Sequence, residues 1–303
     1  MKKYIIVTGG AGFIGSNLIK LLLQKTNNKI ISIDNYSSGY KKNHIYHKNV
    51  TYFNCNIKNI RNKLDKIKNK IKVVFHFGEF SRIYQSFIKT KECIDTNITG
   101  TAEVFLFCLD NKIKIIYSAT SASLGNKGYD QNLSPYSFTK AKNLEFLRNL
   151  KNWHDLSYEV LFFFNVYGPG QIKKGPMSTV IGIFERLFEE KKPITIVKPG
   201  NQSRKFTHID DTVNGCFFAW KKNKNRHYSI SNKKSHTILE VAKMFKDDIK
   251  FLPKRQGERY ASALTDMNLS NKVYKLFGVK KLSDYIENFK KTTIKLKKHH
   301  LQH

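Results

Sequence analysis

The chain holds 303 residues, 40% of them hydrophobic, enough for one large domain or two modest ones. No stretch approaches the ~20 apolar residues of a membrane span, the N-terminus runs straight into a strand-like segment with no signal peptide, and Cys55, Cys93, Cys108 and Cys216 are scattered without a CxxC pair, so a reduced, cytoplasmic protein with no metal site and no membrane partner is expected. The net charge of +31 is spread along the whole chain rather than gathered in a basic helix, which argues against nucleic acid as a partner and suits an anionic small substrate.

In chain order, Tyr4, Ile5, Ile6 and Val7 form a β-branched-rich run that reads as a buried strand. Gly9, Gly12 and Gly15 follow at three-residue spacing, and an apolar-rich helical run over residues 13–23 begins inside that turn. Glycines there tolerate positive φ and let the backbone approach a phosphate. A helix start adds free N–H groups and the positive end of its dipole. A second strand over residues 29–33 ends at Asp34, nineteen residues beyond Gly15, where a carboxylate can hold both ribose hydroxyls of an adenosine. Strand, glycine turn, helix and acid together predict a dinucleotide site. Asn35 and Ser37 extend the ribose wall. No arginine follows Asp34 to receive a 2′-phosphate, so NAD is favoured over NADP although Lys41 and Lys42 are near.

Residues 50–54 are a third predicted strand, and Asn56 and Ile57 after it suit pairing with and covering an adenine. Residues 58–70 read as an exposed, lysine-rich helix. Residues 73–77 give a fourth strand, running into Phe77-Gly78-Glu79, and Asn97 precedes a helical run to Leu109. Residues 113–117 and 158–164 are the fifth and sixth strands. Strands alternating with helices predict an α/β protein with a doubly wound parallel sheet and ligands at the carboxyl ends of its strands. Beyond Gly168-Pro169-Gly170 the elements shorten, with helices at 177–190, 210–220, 237–245 and 267–277 and strands at 194–197 and 228–230. Residues 1–168 are therefore expected to be a dinucleotide-binding domain. Residues 169–303 are expected to be a smaller mixed α+β substrate domain, with part of 205–232 returning to the first. Residues 294–303 read as a frayed, solvated tail.

The chemistry is expected at Tyr136 and Lys140. Pro135 suits the first turn of a helix, and positions four apart then share a face. An ammonium close to a phenol favours the phenolate, which turns a weak base into a usable one near neutral pH. The hydroxyl-rich turn over residues 118–125 lies just after the fifth strand, placed to relay a proton to Tyr136.

The segment TGGAGFIGS, Asp34-Asn35, His76-Phe77-Gly78, Asn97, the Ser/Thr turn, Tyr136-x-x-x-Lys140 and Asn165-Val166-Tyr167-Gly168-Pro169 together resemble the extended short-chain dehydrogenase/reductases, which have a Rossmann domain. More narrowly, they resemble NAD-dependent sugar-nucleotide epimerases of the UDP-glucose 4-epimerase type. The likeness runs from Lys3 to about Phe277. The resemblance implies that Gly9, Gly12, Phe13, Ile14 and Gly15 hold the pyrophosphate of NAD. Asp34, Asn35 and Ser37 would hold the adenosine ribose, with Asn56 and Ile57 on the adenine. Phe77, Gly78, Glu79 and Asn97 would line the middle of the cofactor. Thr120 matches the catalytic Ser/Thr, Tyr136 the base, and Lys140 also the ligand of the nicotinamide ribose. Asn165, Thr179, Val180, Arg204 and Arg255 fall where the family grips a nucleotide diphosphate, a contact that bidentate arginine suits. Members often dimerise through the helices that here span about residues 91–109 and 136–150.

The departures from the pattern bear on the cofactor at Asn56, where an amide can still pair with adenine, and elsewhere on the substrate. Asn56 replaces the usual Asp, Glu79-Phe80-Ser81-Arg82 replaces a more apolar segment beside the nicotinamide, and Glu258 replaces an Asp. Ser262 lies where the 4-epimerases gate the sugar's 2-substituent, and its small size leans toward N-acetylhexosamines. Dehydratases of this type carry Asp-Glu after the catalytic Thr, but Ser121-Ala122 follow here; decarboxylating relatives need a Glu at a similar place, also missing. A 4-epimerase acting on a nucleotide sugar is the resulting expectation. A net 4-oxidoreductase or a catalytically silent dinucleotide-binding regulator are the alternatives.

Overall fold

The computed structural model describes residues 3–122, 132–256 and 276–300. In chain order the first half runs β1 (Tyr4–Thr8), α1 (Phe13–Lys25), β2 (Lys29–Asp34), β3 (Val50–Asn54), α2 (Ile60–Leu64), β4 (Ile71–His76), α3 (Ile83–Ile88), α4 (Thr90–Ile94), α5 (Thr101–Asp110), β5 (Lys114–Thr120), α6 (Pro135–His154) and β6 (Tyr158–Phe163). The second half runs β7 (Val166–Tyr167), α7 (Val180–Glu189), β8 (Ile194–Val197), β9 (Ser203–Lys205), β10 (Thr207–His208), α8 (Ile209–Lys222), β11 (His227–Ile230), β12 (Ser235–Thr237), α9 (Ile238–Phe245), β13 (Ile249–Leu252) and α10 (Leu282–His300).

Alternation along the strands explains how the layers form, because successive side chains point to opposite faces of a sheet. Ile5 and Val7 of β1 pack with Val73, Phe75, Ile116 and Leu161 beneath α1 and α8. Ile6 packs with Val74, Ile115, Val160 and Phe162 on the other face, beneath α5 and α6. Both faces are covered, as parallel strands require. The seven parallel strands lie in the order β11-β6-β5-β4-β1-β2-β3. The chain leaves β1 for β2 on one side and returns to β4 on the other, so a crevice opens over the carboxyl ends of β1 and β4. Helix α8 and strand β11 rejoin this sheet from the second half, with β11 paired to β6. A separate core of Tyr167, Phe184, Ile194, Phe206, Val241, Phe245 and Ile286 knits α7, α9 and α10 over three two-stranded pairings.

Three predicted elements differ from those found. Residues 58–70 are not one helix: a 3-10 turn at Ile57–Asn59 leads into the single helical stretch α2, and another 3-10 segment covers Asp65–Lys70. Only Ile57, Ile60 and Leu64 bury there, and no residue beyond Leu64 is buried to hold further turns. Helix α7 starts at Val180 rather than at 177, because Thr179 caps it by accepting the Gly182 N–H at 3.0 Å. The tail is helical: α10 runs through residue 300, seated by Leu282 and Ile286 in the smaller core and by Lys290 Nζ on the Met244 carbonyl at 2.9 Å. Most of the expected helix over 267–277 lies outside the described residues. Among those described, no helix is long and apolar enough to cross a membrane, and no cluster of three metal-ligating side chains occurs.

Candidate active site

The glycine turn closes tightly on the end of β4. Gly9 has φ +69, and a Cβ there would stand 2.8 Å from the Phe77 carbonyl; a Cβ on Gly15 would collide with the Gly9 carbonyl oxygen. Helix α1 begins at Gly12 with no side-chain cap and no acid in its first turn, which leaves its first N–H groups and dipole open to an anion. Asp34, at the end of β2, accepts the Ala11 N–H at 2.9 Å and the Tyr36 N–H at 2.8 Å. The first bond ties the glycine turn to β2. Burial raises the Asp34 pKa, against the pull of these two N–H groups and of His44. Each carboxylate oxygen keeps a second lone pair for a ribose hydroxyl. Asn56 uses its Oδ1 on the Lys58 N–H at 3.0 Å, so its amide N–H groups remain for a base.

Helix α6 brings the chemistry to the same crevice. Ser134 caps it and Pro135 occupies its first turn. Tyr136, Lys140, Asn143, Leu147 and Leu150 follow at spacings of three and four and are all buried, so the helix turns polar groups inward at its start and apolar ones further on. Tyr136 packs in a small cluster with Phe80, Cys93 and Ala122, and its N–H donates to Ser86 Oγ at 3.2 Å. Lys140 Nζ donates to the Ser118 carbonyl at 2.5 Å and to Glu79, and sits 4.8 Å over the Tyr117 ring. Thr120, the last residue of β5, accepts the Ala122 N–H at 3.2 Å.

One cavity of about 520 Å³ joins these parts. It is lined by Gly9, Gly12, Phe13, Ile14, Gly15, Asp34, Asn35, Ser37, Asn56 and Ile57 at one end, and by Phe77, Gly78, Glu79, Thr120, Tyr136 and Lys140 in the middle. Asn165, Thr179, Val180, Arg204 and Arg255 line the other end. The cavity therefore brings together all but two of the expected site residues. Ser262 lies outside the described residues, as does Glu258. Asn97, expected along the cofactor, does not line the cavity. It is fully buried, with its side chain clipped to the Phe80 N–H at 2.7 Å, the Phe80 carbonyl at 3.1 Å and Thr139 Oγ1 at 3.0 Å. It fixes the 79–80 segment from behind. At the far end Arg204 is 9% exposed on β9, where it pairs with His236 of β12, and Arg255 stacks at 5.6 Å on the Tyr84 ring.

Two further groups were given no site role in the sequence, although Arg82 was named there as a departure beside the nicotinamide. Asn143 donates to Glu79 at 3.1 Å and to the Asn97 carbonyl at 2.6 Å; its position seven after Tyr136, on the same helix face, was the available signal. Arg82 also lines the cavity, donating through Nε and Nη2 to the Met177 carbonyl at 3.0 and 2.6 Å. Burial lowers its pKa, and the Tyr136 phenol opposes that shift.

The residues present fit an NAD dinucleotide: an uncapped helix start, a ribose-facing carboxylate and a Tyr–Lys pair share one cleft. Comparison with known proteins agrees. Residues 5–231 match the model of the NAD dependent epimerase/dehydratase family. The chain is 31% identical over 262 residues to an ADP-L-glycero-D-manno-heptose-6-epimerase of Brachyspira hyodysenteriae, covering 80% of each chain. It is also 31% identical over 262 residues to a UDP-N-acetyl-alpha-D-glucosaminuronate decarboxylase of Bacillus cytotoxicus, covering 80% of this chain and 79% of that one. Among solved structures it is similar to the UDP-N-acetylglucosamine 4-epimerase of Methanobrevibacter ruminantium in complex with UDP-N-acetylmuramic acid, with TM-score 0.82 and 29% identity over 97% of this chain and 98% of that one. With a dinucleotide cradle, a Tyr–Lys pair and a family match across most of its length, the chain belongs to the NAD dependent epimerase/dehydratase family.

Proposed function

We propose that the protein is an epimerase that inverts C4 of a nucleotide-activated hexose, UDP-glucose and UDP-galactose or their N-acetyl forms, through a 4-keto intermediate. The observation that carries this reading is the position of Tyr136 and Lys140 between the dinucleotide cradle and the arginine-lined far end of a single cavity. The 29% identity to a UDP-N-acetylglucosamine 4-epimerase supports it. So does the absence of an acid directly after Thr120, where Ser121 and Ala122 stand.

In this reading residues 1–168 hold the cofactor and 169–303 the nucleotide sugar. NAD, when bound, supplies a hydride acceptor that also gives the hydride back. Gly12 to Gly15 bind its pyrophosphate and Asp34 its adenosine ribose. Thr120 and Tyr136 take the C4 hydroxyl proton and later return it. Arg204 and Arg255, with the head of α7 at Thr179 and Val180, hold the diphosphate while the keto sugar turns over between its two faces. A homodimer through the helices over about residues 91–109 and 136–150 belongs to the same reading and is supported by the exposed Phe138 on α6; a single monomeric species in sedimentation contradicts that part.

The test is to mix the NAD-loaded protein with UDP- and GDP-hexoses and follow absorbance near ~340 nm, where reduced nicotinamide absorbs, together with the sugar product. A transient signal with inverted sugar is expected. Stoichiometric, persistent reduction would make the protein a net 4-oxidoreductase, and no response to any sugar nucleotide would leave a silent dinucleotide-binding protein.

A further inference from the structure

Glu79 follows the end of β4, and its side chain is 2% exposed. Four donors converge on its carboxylate. Lys140 Nζ bonds Oε2; Tyr117 OH at 3.1 Å, Asn143 Nδ2 at 3.1 Å and Thr101 Oγ1 at 3.3 Å bond Oε1. The chain behind Thr101 has a fixed direction. Thr8 Oγ1 accepts the N–H groups of Phe77 and Gly78 at 3.1 and 3.0 Å, so its own proton goes to His76 Nδ1 at 2.7 Å. His76 therefore carries its proton on Nε2 and donates it to Thr101 Oγ1 at 3.0 Å, and Thr101 donates to Glu79. Burial pushes the His76 pKa down to about 4 and keeps the ring neutral. Burial, reinforced by the Glu79 charge, holds the Tyr117 phenol well above its ordinary range and keeps it a donor.

An ammonium has three N–H groups. Two of those on Lys140 are fixed, on Glu79 and on the Ser118 carbonyl, and the tetrahedral nitrogen then leaves the third one direction. Lys140 also lines the cavity between the glycine turn and Thr120. Without the acid, a buried cation would have no counter-charge, and the donors on β5 and α6 would lose their acceptor.

We propose that Glu79 is a positioning residue for Lys140: anchored by Thr8, His76 and Thr101 on one side and by Tyr117 and Asn143 on the other, it holds the ammonium so that its free N–H faces the nicotinamide end of the cofactor, and it offsets the charge presented to Tyr136. This rests on the hydride-transfer reading of the site. The remaining titratable groups around the pair are Cys93 of α4, pushed up to about 11 by burial, and Arg82, which lines the same cavity as Tyr136; no hydrogen bond joins either to Glu79 among the described residues.

The test compares wild type, Glu79→Gln and Thr101→Val in two measurements. The first is NAD affinity of cofactor-stripped protein by calorimetry. The second is the pH dependence of single-turnover cofactor reduction by the active sugar nucleotide. Glu79→Gln should weaken NAD binding by about tenfold or more, the loss of one charge-assisted contact. It should also move the acidic limb of the pH profile to lower pH, since the ammonium is no longer offset. Thr101→Val should weaken NAD binding less and leave the limb in place, because no charge is removed. Unchanged NAD affinity and an unmoved limb in Glu79→Gln overturn the proposal, even if that variant melts earlier. If Glu79→Gln does not fold, unchanged NAD affinity in Thr101→Val overturns it. Should wild type reduce no cofactor with any sugar nucleotide, the hydride reading falls, and the affinity measurement alone decides the positioning of Lys140.

Discussion

The two ends of the cavity are built in different ways. At the cofactor end the lining comes from strand termini and one helix start, each tied to its neighbour by backbone groups: Asp34 to Ala11 and Tyr36, Thr8 to Phe77 and Gly78. At the far end the walls come from segments distant in sequence that meet only in the fold. Arg82 reaches the Met177 carbonyl 95 residues away, and Arg255 stacks on Tyr84. The first end is a rigid cradle set by the parallel sheet. The second is an assembly of a helix start, short strands and connecting segments, and segments carried on a fixed scaffold are where substrate choice resides. Changes at one end should leave the other measurably intact.

The sharpest division of the two ends comes from removing the phenol. Tyr136→Phe should cut turnover by at least ~10²–10⁴-fold, the usual worth of acid–base help, while NAD affinity measured by calorimetry stays within about twofold. Loss of NAD binding in that variant would mean that the ends are not separable.

A smaller effect is the pH dependence of the cofactor-end network. Unfolded, His76 takes up a proton near its ordinary 6.5; folded, only near about 4. Between those values the unfolded chain binds more protons, so stability rises with pH through the window. The contribution is full above about 6.5 and is lost as pH falls toward 4, on the order of 3 kcal/mol in all. Urea unfolding at pH 7 and pH 4 should show this difference in wild type, and His76→Gln should flatten it. An equal pH dependence in both proteins would contradict a buried neutral imidazole.

Gly15→Ala should cost about 1–3 kcal/mol, because its methyl group meets the Gly9 carbonyl oxygen and the turn must shift. The loss should appear mainly as weaker NAD binding. The mildest probe is Thr179→Ala, which removes the α7 cap and should lower stability by about 1 kcal/mol. It should also weaken sugar-nucleotide binding and leave NAD affinity as it was. Equal effects on both ligands would blur the separation of the ends.

How much of this was legible in the sequence follows the same division. The run from Tyr4 to Asp34 could be read because strand period, glycine spacing and the acid all lie within one stretch of chain, and the sheet returns them in that order. Tyr136 and Lys140 could be read because a helix with Pro135 at its start puts residues four apart on one face. The Glu79–Lys140 pair spans 61 residues with strand β5 between them, and no local pattern encodes it. Asn97 is a polar residue at a suggestive position, yet its amide is spent on the Phe80 backbone and not on the cavity. Helix α10 was hidden by its lysines, since its hold on the smaller core rests mainly on Leu282 and Ile286 near its start.

The most direct test of hydride removal and return at a sugar carbon uses a nucleotide hexose deuterated at C4, incubated with the NAD-loaded protein and followed by NMR. The account predicts that both C4 epimers accumulate with the deuterium still on C4. Epimers carrying solvent hydrogen at C4, or no epimer from any hexose of a UDP and GDP panel, would contradict it.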